Sequence, residues 1–108
     1  MRRNYTSVVA RRVRIDGDYS TLPFEAGWAA EAVVFVQAEG DHPDLHLVAQ
    51  VSPDGLAWVS RGPGVVLRAG EDITELPLTV FGNWLRISIT GASSSAPARI
   101  LVHINAKG

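Results

Sequence analysis

Residues 45–58 read LHLVAQVSPDGLAW, and their first half alternates between two faces. Leu45, Leu47, Ala49 and Val51 point one way and His46, Val48, Gln50 and Ser52 the other, the period-2 pattern of a strand with one face buried. Ser52-Pro53-Asp54-Gly55 then turns the chain. Proline fixes φ, Asp54 can accept a hydrogen bond from backbone two residues on, and Gly55 supplies a left-handed position. Trp58 is expected to cover the end of the core beside this turn. Asp54, Gly55 and Trp58 therefore read as a structural corner.

The same alternation recurs on both sides of this segment. Residues 7–15 place Val9, Val13 and Ile15 on one face and Arg12 and Arg14 on the other, with Arg11 falling on the apolar side. Asp16-Gly17 is a tight-turn signal that predicts a hairpin to a short strand at 19–22, which Pro23 closes. Phe24 and Trp28 lie in a connection expected to pack over the core end. In 30–38, Ala30, Ala32, Val34, Val36 and Ala38 form an unbroken apolar row, which predicts a central strand.

After Trp58, the triplet Gly62-Pro63-Gly64 predicts a break between two short pieces, 58–61 and 65–68. Thr74, Leu76, Leu78 and Val80 alternate with Glu75, Pro77 and Thr79, and the proline places this strand at a sheet edge or a bulge. Phe81-Gly82-Asn83 ends that run. Leu85, Ile87 and Ile89 alternate with Trp84, Arg86, Ser88 and Thr90. The loop GASSSAPA at 91–98 is expected to join this strand in a hairpin to the last one, built on Ile100, Val102 and Ile104. About eight or nine short strands with no helical periodicity predict an all-β fold, an antiparallel β-sandwich or jelly roll in a single domain spanning 1–108.

Composition narrows the function. A chain of 108 residues makes one core, and the absence of cysteine removes disulfides and thiolate metal sites. No segment has the apolar length of a signal peptide or a membrane span, so the expected location is cytoplasmic or particle-associated, with no membrane partner. The net charge of -1 and the lack of aromatics among the basic residues disfavour nucleic acid. Charge is nonetheless segregated. Residues 1–15 hold Arg2, Arg3, Arg11, Arg12 and Arg14 and no acid, while all 11 carboxylates lie beyond them. That distribution describes a basic strand or arm able to lie on an acidic body, its own or a neighbour's.

Ser52-Pro53-Asp54-Gly55-Leu56-Ala57-Trp58 fits S-x-D-G-x-x-W, and Trp84-Leu85-Arg86-Ile87 follows as an aromatic-x-Arg-hydrophobic strand. This pairing resembles two groups: the discoidin-like jelly rolls of coagulation-factor C domains and sugar-binding modules, and the small β-sandwich modules of phage-type virion and tail proteins. The first resemblance implies carbohydrate binding through loop aromatics, and the second implies assembly. The chain is shorter than discoidin-like domains and lacks the paired cysteines of their secreted members, which favours the virion-like alternative.

No residue is assigned to catalysis. The imidazoles are His42, His46 and His103, and no serine lies in a nucleophile-elbow context. Asp41, His42 and Asp44 are weak metal-ligand candidates in what reads as a solvated turn, so neither metal nor cofactor is expected. Trp28, Trp84 and Arg86 are the candidates for ligand or partner contact, with Trp84 and Arg86 sharing the face opposite Leu85, Ile87 and Ile89. Arg11, Arg12 and Arg14 are the candidates for an assembly strand. The resulting expectation is a non-enzymatic, self-associating β-sandwich of a virion-like, tail-like or shell particle. Its alternatives are a carbohydrate-binding module and an accessory subunit of a larger complex.

Overall fold

A computed structural model describes residues 4–79 and 83–108 as strands and their connections, with no helix. Arg2, Arg3, Val80 and the Phe81-Gly82 break lie outside the described residues. Among the described residues, nine strands form two antiparallel sheets packed face to face. The four-stranded sheet has the order β1 (Asn4–Ile15), β9 (Ala98–Lys107), β4 (Glu31–Glu39), β7 (Ile73–Thr79). The other runs β2 (Tyr19–Ser20), β8 (Trp84–Thr90), β5 (Leu45–Ser52), β6 (Val59–Leu67), and β3 (Phe24–Glu25) also pairs with β8.

The inward rows meet as one core. Val34 and Val36 of β4 and Ile100, Val102 and Ile104 of β9 face Leu45, Leu47 and Ala49 of β5 and Leu85, Ile87 and Ile89 of β8, all fully buried. The central position expected for the 30–38 segment holds, because β4 pairs with both β7 and β9. Pro77 lies on β7, at the edge, as a residue without a ladder donor requires.

Three expectations need correction. Asp16-Gly17 does not close a hairpin: β1 pairs with β9 and β2 pairs with β8, so the turn passes the chain from one sheet to the other. The 91–97 loop does the same between β8 and β9. Each turn is chemically suited to a hairpin, but the strands flanking it find partners distant in sequence. Third, Gly62-Pro63-Gly64 does not interrupt β6. Arg61 to Val65 runs opposite Ala49 to Leu47, so the triplet forms a bulge in an edge strand. Gly62 and Gly64 both have positive φ, which absorbs the extra residues.

Bulges also resolve the position of Arg11. The step from Ala10 to Val13 lies opposite Val102 to Ile100, with a second shift between Val8 and Ala10. Arg12 adopts φ 47° at the first of these irregularities. The extra residue lets both Arg11 and Arg12 stay exposed while Ala10 and Ile15 remain buried.

Candidate functional site

The outer face of the five-stranded sheet is built around the 52–57 turn. The Ser52 hydroxyl accepts from the Asp54 amide at 3.2 Å and the Gly55 amide at 2.8 Å, and donates to Asp54 Oδ1 at 3.0 Å. Asp54 Oδ1 in turn accepts from the amides of Leu56 at 2.9 Å and Ala57 at 3.1 Å. The Leu56 and Ala57 amides, with the Ser52 hydroxyl, hold the Asp54 carboxyl below the usual carboxylate range. Gly55 has φ 81°, and its α-carbon lies over the Trp84 ring, where an added Cβ would stand 3.7 Å from ring atoms.

Trp84 is thus half-buried beneath the turn, opposite Ser52 on β5 and Glu25 on β3. Trp58 differs from the expectation for it. It does not belong to the core cluster or to the side chains packed on that cluster. Its ring lies on the outer face with the Arg86 guanidinium 4.3 Å from its centroid. The register explains this: Val59 pairs with Val51, so Trp58 falls beyond the end of the ladder, on the side of Gln50 and Ser60.

Arg86 is fixed from two directions. Trp58 takes one face of the guanidinium, and Arg86 Nε donates to Gln50 Oε1 at 2.7 Å, across a register in which Gln50 and Arg86 are direct partners. Gln50 Nε2 donates to Ser60 Oγ at 3.5 Å, extending the row over three strands. Arg86 forms no ion pair among the described residues. The structure therefore brings together Trp84 and Arg86, both singled out by alternation, and adds Trp58, Gln50 and Ser60. Gln50 and Ser60 were missed because their pairing is set by register, which no local pattern encodes.

Trp28 lies elsewhere. It packs partly on the core and meets Tyr5 edge-on, with centroids 6.5 Å apart and planes at 88°. Tyr5, Phe24, Glu25 and Trp28 wall a cleft of about 340 Å³ where the edges of the two sheets meet. Tyr5 also stacks on Phe24, with ring centroids 6.3 Å apart.

The metal candidates have structural partners. The ring nitrogens of His42 point at carbonyl oxygens, Nδ1 at Pro43 (2.8 Å) and Nε2 at Glu71 (2.7 Å), which turns both away from a metal. Asp44 Oδ1 accepts from the Ala69 amide at 2.7 Å, and Asp41 is exposed. Among the described residues no three His, Asp or Glu side chains converge as a ligand set.

Two of the three arginines of β1 lie against the chain's own acids. Arg12 Nε is 3.0 Å from Glu39 Oε1, Arg14 Nη1 is 3.2 Å from Asp16 Oδ2, and Arg99 Nη1 donates to the Arg12 carbonyl at 3.2 Å. Arg11 is exposed and carries no ion pair among the described residues.

The outer face of the four-stranded sheet holds a surface the sequence pattern had not marked. Val8 and Phe35 flank His103, Val33 lies between Asn105 and Pro77, and Gln37 lies between Leu101 and Ile73. The signal present was the two-sided apolar run Ala32-Val33-Val34-Phe35-Val36, which puts hydrophobic side chains on both faces of β4.

No family model matches the sequence, and no curated protein matches it. Among solved structures, the chain is similar to the PBSX exported protein XepA, with a TM-score of 0.72, 11% identity and 94% of this chain covered. It spans 36% of that chain. Two further structures share 94% and 100% of this chain at a TM-score of 0.48. They are CBM29_1, a family 29 carbohydrate binding module from Piromyces equi (12% identity, 90% of that chain), and infectious bursal disease virus strain Gx (13% identity, 32% of that chain). The likeness to XepA is one of fold, the antiparallel β-sandwich.

Proposed function

We propose that this chain is a non-enzymatic β-sandwich module that works by contact, associating with copies of itself and with other macromolecules as a component of a particle-like assembly. The observation that carries this reading is the outer face of the four-stranded sheet, where Val8, Val33, Phe35, Leu101 and exposed Ile73 come from four adjacent strands, interspersed with His103, Asn105, Gln37 and Glu75. A sandwich fills its core between the sheets, so apolar side chains repeated across an outer face mark a second surface that burial against a partner would stabilise. Sheet faces serve this purpose better than edges here. Bulges and arginines blunt β1, Pro77 and Glu75 blunt β7, and the Gly62-Pro63-Gly64 bulge blunts β6. Similarity to about a third of XepA is in keeping with a module that operates beside others.

Size-exclusion chromatography with light scattering tests the reading. The wild-type chain should form a discrete oligomer, and Phe35→Lys should return it to the monomer without lowering its melting temperature. An oligomer that survives about 1 M salt is held by the apolar face, whereas one dissolved by salt is held by Arg11 and its neighbours on β1. A wild-type monomer at low salt and high concentration removes self-association.

A second reading is supported by the other sheet. Trp58 and Trp84 lie on the turn side of a row of hydrogen-bonding side chains, Arg86, Gln50 and Ser60, and this combination of ring face and polar groups suits a carbohydrate. Binding on a glycan array, lost on Trp58→Ala, is its test.

A further inference from the structure

Arg86 is held in place yet its charge is unanswered. The guanidinium plane is set by the Trp58 ring at 4.3 Å and by the Nε bond to Gln50 Oε1 at 2.7 Å. Both contacts leave the two terminal nitrogens without a partner among the described residues. Three of the other arginines are used within the chain: Arg12 on Glu39, Arg14 on Asp16 and Arg99 on the Arg12 carbonyl. Arg86 is half-buried in the middle of a sheet face, where its own cross-strand neighbours are Gln50 and, through Gln50, Ser60.

A guanidinium presents a planar fork of donors matched to a carboxylate. With Nε engaged, the end-on pair of terminal nitrogens remains, and the stacked ring has already removed the rotational freedom that docking would otherwise cost. Ring stacking and a charge-assisted fork are then available from one fixed residue pair, with the Gln50 amide and Ser60 hydroxyl beside them as further polar groups. We infer that the Trp58–Arg86–Gln50 group binds an acidic sugar, its carboxylate on the terminal nitrogens of Arg86 and the sugar ring lying beside Trp58. This inference rests on the carbohydrate reading above and names the ligand class.

The experiment is a glycan array of uronate- and sialate-bearing oligosaccharides printed beside their carboxyl-methylated counterparts, followed by titration of the best pair against the full chain. The acidic forms should bind, and methylation should weaken them by roughly tenfold or more, the scale of a charge-assisted hydrogen-bonded pair. Arg86→Lys keeps the charge but loses the fork and the Gln50 contact, so it should bind several-fold more weakly, with a melting curve confirming that it folds. Gln50→Leu should weaken binding through the freed guanidinium. Equal binding of acidic and methylated glycans overturns the inference and leaves the carbohydrate reading standing. Absence of any glycan binding overturns both, and wild-type affinity in Arg86→Lys overturns the role given to Arg86.

Discussion

The Arg86 guanidinium stands 4.3 Å from the centroid of the Trp58 ring, although Arg86 lies on β8 and Trp58 just before β6, two strands that β5 keeps apart in the sheet. The long arginine reaches over β5, donating from Nε to Gln50 on that strand. Removing this contact should be visible in both stability and spectrum. Arg86→Ala loses a cation–π contact and a charged hydrogen bond, and should lower unfolding free energy by about 1–2 kcal/mol. Urea denaturation measures the loss, and altered tryptophan emission should accompany it.

Asp54 makes the corner sensitive to acid. Its folded carboxyl titrates below the ordinary value of 3.8 because the Leu56 and Ala57 amides and the Ser52 hydroxyl favour the charged form. A depressed folded value means that the stabilisation is complete above the unfolded value and disappears as pH falls through the folded one. Asp54→Asn should therefore be less stable than wild type at neutral pH, with the gap between their denaturation midpoints closing under strongly acidic conditions. A gap that stays constant down to the lowest pH would separate the turn from this ionisation.

Gly64 has almost no freedom to change. It has φ 81°, and a Cβ there would stand 2.2 Å from the Leu47 carbonyl oxygen and 2.9 Å from Val48 Cγ2. Gly62, two residues earlier in the same bulge, also has positive φ but meets nothing within 4 Å. Gly64→Ala should cost about 3 kcal/mol or more, combining backbone strain with collision, whereas Gly62→Ala should cost only the strain, about 1–2 kcal/mol. Paired thermal melts of the two variants give the comparison.

Thr21 completes the ladder along β8 between β2 and β3. Its amide donates to the Ile87 carbonyl, and its hydroxyl accepts from the Ile87 amide, each at 3.0 Å. Thr21→Val keeps the shape but leaves a buried amide without an acceptor, which should destabilise by about 1–3 kcal/mol. Amide hydrogen exchange at Ile87 should quicken beyond what global unfolding explains.

Much of this architecture is legible in the chain. Alternation placed Leu45, Leu47, Ala49, Ile87, Ile89, Ile100 and Ile104 inside, because a strand's side chains alternate whatever partner it has. The 52–55 turn was readable because its bonds are local: the Ser52 and Asp54 side-chain oxygens accept from amides within three residues of themselves. Trp84 and Arg86 on one face also followed from alternation. Trp58 did not, since it lies between the turn and the first ladder residue of β6, Val59, outside the strand's period.

What local chemistry determined, then, is most of the strands, their inward faces and the corner at Asp54. Tertiary structure alone decided their partners. Asp16-Gly17 and the 91–97 loop have the composition of hairpin turns, but β1 and β9 pair with each other, and β9 with β4, instead of with the strands they adjoin in sequence. The row Trp58–Arg86–Gln50–Ser60 and the apolar face around Phe35 come from the same source. Both are products of register between strands distant in sequence, and register is a property of the assembled sheet.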